Sequence, residues 1–211
     1  YFMDGSTKRK QAIFGSHISN KEGYCTKNQI LGVENVDSKY INTHDVYLGV
    51  NVTIDLNGYK IDRNLTEAVD KGAVIDVYGS LTVKDDSCAK TGTITGGKTQ
   101  NSSSEMVAGG IQVNGGSLVL ESGSITGCSA SMRGAGVNVE GGSFIMKGGS
   151  ISENRARSHG AGVDITSGTF TMTGGIISGN RANFGGGVYA TQSDLFLSGG
   201  EISGNTASNK S

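Results

Sequence analysis

Residues 109–207 decide the fold because they consist of four similar segments. The segments read GGIQVNGGSLVLESGSITGCSA (109–130), GAGVNVEGGSFIMKGGSISENRA (134–156), GAGVDITSGTFTMTGGIISGNRA (160–182) and GGGVYATQSDLFLSGGEISGNTA (185–207). Equivalent positions are Ile111, Val137, Val163 and Val188, which are 26, 26 and 25 residues apart. A fixed period of this length is typical of a solenoid, in which each unit buries its apolar surface against its neighbours.

Within each segment the apolar residues alternate with polar ones, as in Val137/Val139 and Phe144/Met146, with Ile151 following. Short runs of period two that are separated by Gly-Gly or Ser-Gly indicate strands joined by tight bends. Three such strands per segment predict an all-β, single-stranded parallel β-helix of 25–26 residues per coil. Parallel connections are strongly right-handed, so we expect a right-handed solenoid.

Stacking equivalent strands in register, about 4.8 Å apart, generates columns of like residues. The expected interior columns are Val137/Val163/Val188, Phe144/Phe170/Leu195, Met146/Met172/Leu197 and Ile151/Ile177/Ile202. The positions expected to point outward are Gln112/Asn138/Asp164/Tyr189 and Val119/Ile145/Thr171/Phe196. The pairs Gly148-Gly149 and Gly174-Gly175 are expected at corners, where positive φ favours glycine.

A further column contains Cys128, Asn154, Asn180 and Asn205, each three residues after the isoleucine column. An asparagine that recurs at one corner is best explained by inward amides that hydrogen-bond along the axis and satisfy turn backbone. We therefore expect these asparagines to be structural. Cys128 is expected to be buried and inert as a small apolar residue.

The repeat weakens upstream but does not vanish. Ile75, Val77, Leu81, Val83 and Ile94 reproduce the alternation, and a polar insertion near residues 98–107 lengthens that coil. We expect five clear coils and one partial coil, with the β-helix spanning 46–211 and continuing beyond the last residue given. Residues 1–45 lack the repeat and are expected to form a cap or an irregular leading segment, because an open solenoid end invites edge-to-edge aggregation.

Composition excludes several classes of protein. The 211 residues include 35 Gly and no Pro, and the formal net charge is −1. The absence of Pro and of a Gly-X-Y period excludes a collagen-like rod. The near-zero charge argues against nucleic-acid binding, and no apolar run is long enough to span a bilayer. Three cysteines are too few for a disulfide framework or a zinc site; Cys25 and Cys88 could pair, but the sequence leaves this open.

The tetrads Ile-Ser-Glu-Asn154, Ile-Ser-Gly-Asn180 and Ile-Ser-Gly-Asn205, followed by Gly-Ala-Gly-Val163 or Gly-Gly-Gly-Val188, resemble the Phe-x-x-Asn and Gly-Gly-Ala-Ile motifs of chlamydial polymorphic outer-membrane proteins. More broadly, residues 109–207 resemble right-handed β-helix repeats of bacterial surface proteins and autotransporter passengers, within the pectin-lyase-like superfamily. Ile stands where the chlamydial motif has Phe. The resemblance implies a secreted or cell-surface location on a bacterium, and an adhesive role.

Catalysis is disfavoured because the sequence does not place two acids together. Acid and base chemistry on a polysaccharide needs at least two convergent carboxylates, and Asp164 is the only acid in its outward column. Asp85-Asp86 is expected in a solvated turn, and His159 in another turn. No catalytic, metal or cofactor motif is present, so no catalytic residue, metal or cofactor is predicted. Thr169, Thr171 and Thr173 provide one rank of an ice-binding array, but the neighbouring coils interrupt it.

The remaining function is recognition by an extended surface. Stacking is expected to place Arg155 beside Arg181 at one corner, and guanidinium groups suit carboxylate or sulfate recognition. The candidate binding residues are Arg133, Arg155, Arg157, His159, Arg181, Tyr189 and Phe196. We expect a non-catalytic module or stalk that contacts a host glycan or protein. The alternatives are a solvated charged edge, coverage of Tyr189 and Phe196 by another segment, and a polysaccharide lyase or hydrolase of pectin-lyase-like fold.

Overall fold

A computed structural model describes residues 51–100 and 107–209 in full and, before residue 51, the backbone of five short strands. The described residues form strands and turns and contain no helix. The strands are β1 (Phe2–Met3), β2 (Arg9–Lys10), β3 (His17–Ser19), β4 (Leu31–Glu34), β5 (Asp45–Val46), β6 (Asn51–Asp55), β7 (Lys60–Asp62), β8 (Ile75–Val77), β9 (Ser80–Lys84), β10 (Thr93–Thr95), β11 (Lys98–Thr99), β12 (Ile111–Asn114), β13 (Ser117–Leu120), β14 (Ser124–Thr126), β15 (Ser129–Ala130), β16 (Val137–Glu140), β17 (Ser143–Met146), β18 (Ser150–Ser152), β19 (Arg155–Ala156), β20 (Val163–Thr166), β21 (Thr169–Ser178), β22 (Arg181–Ala182), β23 (Val188–Thr191), β24 (Asp194–Ser203) and β25 (Thr206–Ala207).

The predicted parallel β-solenoid is confirmed by the strand pairing. One sheet is six strands long, in the order β23-β20-β16-β12-β8-β5, and a second contains β11-β15-β19-β22-β25. The remaining coil strands belong to a twelve-stranded sheet, in which β21 and β24 each continue through a corner. Each regular coil therefore has three principal strands and one two-residue strand. The right-handed sense stays a prediction.

Register between coils is the one that the repeat predicts. Val137 pairs with Ile111 on one side and with Val163 on the other, and Val163 pairs with Val188. The stacked rings of Phe144 and Phe170 have centroids 5.1 Å apart. Burying a large apolar side chain in this way contributes about 2 kcal/mol, so repeated columns stabilise each coil on the next.

The interior columns continue into the last described coil, where they lose cover. Val188 is partly buried, while Leu195, Leu197 and Ile202 are 40%, 54% and 41% exposed. No described coil stacks on β24. These three side chains therefore continue the apolar columns of the core but are exposed to solvent.

Glycine occupies the predicted corners with the predicted backbone. Gly149 has φ 75° and Gly175 has φ 89°, in the left-handed region that side chains resist. Gly127, Gly179 and Gly204 share another left-handed corner, at which one coil instead has a glutamate.

Three of the five strands before residue 51 pair with strands of the coils, two of them antiparallel and one parallel. β3 and β4 pair antiparallel with β7 and β6, and β5 pairs parallel with β8. β1 and β2 pair with each other. The division into a cap at 1–45 and a β-helix at 46–211 stays a prediction.

One of the two outward columns was predicted wrongly. Gln112, Asn138 and Asp164 are at most 2% exposed, although alternation places them outside the core. The backbone before each strand folds over them: a Cβ added at Gly134 would lie 2.4 Å from the Cβ of Asn138, and one at Gly160 would lie 2.7 Å from that of Asp164. In contrast, Val119, Ile145, Thr171 and Phe196 are exposed or partly exposed, as predicted.

The solvated-turn prediction for Asp85-Asp86 is also wrong for its first residue. Asp85 is fully buried, and its carboxylate accepts backbone N–H bonds from Gly58 (2.7 Å), Ser87 (3.1 Å) and Gly92 (2.6 Å). Buried carboxylates need such partners, so Asp85 fastens two consecutive coils from within. Asp86 is exposed, as expected.

Candidate ligand-binding site

The asparagine column forms the hydrogen-bond ladder that the sequence predicts. The Oδ1 atom of Asn180 accepts the backbone N–H of Asn154 at 3.0 Å and its Nδ2 at 3.1 Å. The Nδ2 of Asn180 donates to the carbonyl of Ile151 at 2.9 Å and to Oδ1 of Asn205 at 3.0 Å. These amides are saturated by the fold itself, so their role is structural.

Cys128 begins this ladder and is buried, as predicted. Its backbone N–H donates to Oδ1 of Asn154 at 3.0 Å. Burial raises the pKa of the thiol to about 12, which leaves almost no thiolate at neutral pH. The side chain is free and inert, whereas Cys88 is disulfide-bonded; Cys25 lies outside the described residues.

Three of the candidate binding residues form one exposed basic strip, defined as Arg155, Arg157 and Arg181. Arg155 in β19 pairs directly with Arg181 in β22, as the repeat predicts, and Arg157 follows β19 immediately. All three side chains are exposed, and none has an ion pair within the described part of the chain. Lys98 occupies the same column two coils earlier and extends the positive charge along the axis.

Three others contribute to a separate aromatic cluster of Arg133, His159, Phe184 and Tyr189. Bridges connect Arg133 to His159 and His159 to Phe184, so the segments that cover the outward column are themselves stacked. The His159 ring lies 5.0 Å from that of Phe184 and 4.4 Å from that of Tyr189. The Arg133 guanidinium lies 5.9 Å from the Tyr189 ring, within cation–π range.

Electrostatics in this cluster are set by burial. Desolvation lowers the pKa of His159, and the charge of Arg133 lowers it further, so both favour the neutral imidazole. Arg133 lies beside the aromatic rings and also approaches the buried Asp164, with Nη1 and Oδ1 4.0 Å apart. The Arg133 guanidinium therefore interacts mainly with groups inside the cluster and is less available to a ligand than the arginines of the basic strip.

The structure does not join Phe196 to either group. Its ring is 58% exposed on β24, where it continues the outward column of Thr171. The seven candidates thus divide into the basic strip, the aromatic cluster and one exposed ring.

The polar column that the sequence places outside the core begins one coil earlier than predicted, at Asp76 on the six-stranded sheet. Asp76 pairs with Gln112, Gln112 with Asn138, and Asn138 with Asp164, which itself pairs with Tyr189. The motif Ile-Asp-Val at 75–77 matches Ile-Gln-Val at 111–113, but the 36-residue spacing of that coil hides the equivalence.

This column adds a second acid, Asp76, to the face on which Asp164 stands, and the neighbouring column adds a third, Glu140. Glu140 lies on the same side of the sheet two residues after Asn138, whose Nδ2 donates to Glu140 Oε1 at 3.3 Å. Asp76, Glu140 and Asp164 thus share one face of the sheet across four coils, and the second of those coils has amides there instead of an acid.

The described residues contain neither a metal-binding cluster nor a membrane-spanning helix. Within residues 51–100 and 107–209, no three His, Cys, Asp or Glu side chains are grouped closely enough to hold a metal ion. No helix in the described part of the chain has the length and apolarity needed to cross a membrane.

Comparison with known proteins assigns no family. The chain matches no family model, no curated protein and no solved structure. Its fold is therefore established by the repeat and by the strand register, and the resemblance to bacterial surface β-helices stays a prediction.

Proposed function

We propose that this chain is a secreted or cell-surface recognition module of a bacterium that binds an anionic polymer along the basic strip. The observation that carries the proposal is the register pairing of Arg155 with Arg181, both exposed and neither ion-paired within the described residues. The disulfide at Cys88 supports an oxidising compartment outside the cytoplasm. The resemblance of the repeats to those of bacterial surface proteins points the same way.

Electrostatic repulsion between the stacked arginines destabilises the fold, and an anionic ligand would relieve this repulsion. Two like charges about 4.8 Å apart repel by about 1 kcal/mol in water, and like charges directly opposite in a sheet destabilise it. A carboxylate or sulfate placed between the two guanidinium groups would replace this repulsion with charge-assisted hydrogen bonds. A polymer with closely spaced acidic groups could make such contacts with Arg155, Arg157 and Arg181 together.

The test is binding of dextran sulfate and of polygalacturonate, with neutral dextran as the ligand control, measured by surface plasmon resonance at increasing salt. We expect Arg155→Ala/Arg181→Ala to weaken binding at least tenfold and to flatten its salt dependence. The matched control is Lys60→Ala/Lys147→Ala, which also removes two positive charges, from surface ion pairs with Asp62 and Glu121. Equal losses in the two variants, or binding insensitive to salt, would contradict the proposal.

A polysaccharide-processing enzyme is the second candidate, and one observation favours it. Burial, with a smaller contribution from Glu140, raises the pKa of Asp164 to about 6, the range of a general acid. However, Asp164 has no exposed surface, so substrate would reach it only after the covering segment moved. Release of oligosaccharide from polygalacturonate or xylan, abolished by Asp164→Asn, would establish the enzyme; binding without turnover supports the recognition module.

A stalk is the remaining alternative, and it predicts no ligand at all. The same binding series separates it from the proposed module, because a spacer should bind neither anionic polymer above the level of neutral dextran.

A further inference from the structure

A second surface carries a different chemistry from the basic strip. A groove of about 360 Å³ runs across the coils beside the six-stranded sheet. Its described lining combines carboxylates, amides, hydroxyls, a lysine and an aromatic ring; the polar members used below are Asp76, Gln112, Asn114, Glu140 and Thr166. The structure thus has a concave polar site that the sequence did not indicate.

The floor of this polar groove is oriented by hydrogen bonds. Gln112 Oε1 accepts the backbone N–H of Ala108 and the Nδ2 of Asn138, both at 2.9 Å. Its Nε2 then donates to Oδ1 of Asn114 at 2.9 Å. These hydrogen bonds fix the orientation of the Asn114 amide. Its Oδ1 faces Gln112, and its Nδ2 is left as the donor to a ligand.

Donors and acceptors then alternate along the groove wall. Asn114 pairs with Glu140, and Glu140 pairs with Thr166, so an amide, a carboxylate and a hydroxyl follow one another at successive coils. All three side chains are partly exposed. The coils are about 4.8 Å apart, close to the length of one sugar ring, so successive sugars would meet successive coils.

The charge of the groove selects against acidic ligands. Among the described lining residues, the two acids Asp76 and Glu140 outnumber Lys71, in contrast to the basic strip. One coil before Asn114, the aromatic residue Tyr78 is 41% exposed beside the polar groups. A few oriented polar groups beside an aromatic ring form the kind of site that binds small organic ligands.

We propose that the polar groove binds an uncharged glycan chain aligned with the solenoid axis, through Asn114, Glu140 and Thr166, with Tyr78 stacking against a sugar ring. This site is independent of the basic strip, and its ligand differs in charge from the one proposed there.

The experiment is isothermal titration calorimetry of the intact chain with xylohexaose, cellohexaose, mannohexaose and chitohexaose. We expect at least one hexasaccharide to bind, and both Asn114→Ala and Glu140→Gln to weaken that binding at least tenfold. Asn183→Ala, an exposed asparagine outside the groove, is the matched control and should bind as the parent does. Thermal unfolding of each variant verifies that the fold is retained.

Two results would overturn the inference: no binding to any of the four hexasaccharides, or unchanged affinity in both groove variants. The Arg155→Ala/Arg181→Ala variant separates the two proposals. This variant should lose binding to dextran sulfate and keep binding to the hexasaccharide. Either proposal can therefore be contradicted while the other stands.

Discussion

Asp164→Asn should stabilise the protein at neutral pH and have little effect in acid. Asp164 is fully buried, and neither of its carboxylate oxygens has a hydrogen-bond partner within the described residues. Its ion-pair partner is Arg133, with Nη1 4.0 Å away. Burial is the main cause that raises the pKa of Asp164 from 3.8 to about 6; Glu140 adds to the rise and Arg133 opposes it.

The sign follows from proton linkage. Below pH 3.8 the carboxyl is protonated in the folded and unfolded chains alike, so it contributes no pH-dependent difference. Between about pH 4 and 6 the unfolded chain ionises first, and stability falls as pH rises. Above about pH 6 the folded chain holds a buried carboxylate at a cost of about 3 kcal/mol, since one pKa unit corresponds to about 1.4 kcal/mol.

An asparagine at 164 would have the same size and no charge, and it would continue the amide chain of Gln112 and Asn138. Loss of the Arg133 ion pair offsets part of the gain. We therefore expect the free energy of unfolding to rise by about 2 kcal/mol at about pH 7.5 and by less than about 0.5 kcal/mol at about pH 3.5.

Urea unfolding at both pH values, followed by far-UV circular dichroism, measures the difference. Asp194→Asn is the matched control, because Asp194 is exposed on β24 and should give no comparable gain. An Asp164→Asn variant that is no more stable than the parent at pH 7.5, or equally stabilised at both pH values, would refute the burial argument.

Two further predictions concern the corners. Glu153 has φ 55° where Gly179 occupies the equivalent position, so Glu153→Gly should raise the free energy of unfolding by about 1 kcal/mol in the same assay; an unchanged or lower value would argue against strain. Asn180→Ala should lower it by about 4 kcal/mol, because buried backbone groups of two coils lose their partners. Asn183→Ala, which removes an exposed amide, should change it by less than about 0.5 kcal/mol, and comparable losses in the two variants would contradict the ladder.

The interior was predictable because in-register stacking requires like residues at like positions. A side chain such as Phe144 lies against its equivalent Phe170 one coil later. The spatial contact therefore appears in the sequence as a repeat of similar residues at a fixed spacing. The Asn154–Asn180 bonds follow for the same reason. Arg155 and Arg181 show that this logic extends to the surface wherever the register is unbroken.

The covering of the polar column was not predictable from alternation. Period two states only that Asn138 and Asp164 face away from the core, and it does not state what else packs there. The signal in the sequence is four residues earlier, where Gly134 and Gly160 recur because a side chain would collide with the column. Asp85 was missed for a related reason: one of its partners, Gly58, is 27 residues away and belongs to another coil.

Stacking also explains where function can reside in this fold. An interior column such as Ile111/Val137/Val163 must remain apolar at every coil, so its chemistry carries no information about ligands. Outward positions are released from that constraint, and the wall of the polar groove changes from amide to carboxylate to hydroxyl over three coils. The column of the basic strip changes from lysine to serine, then to two arginines and a threonine, and the register holds throughout. Recognition in a solenoid of this kind is therefore best sought where the side chains change and the backbone does not.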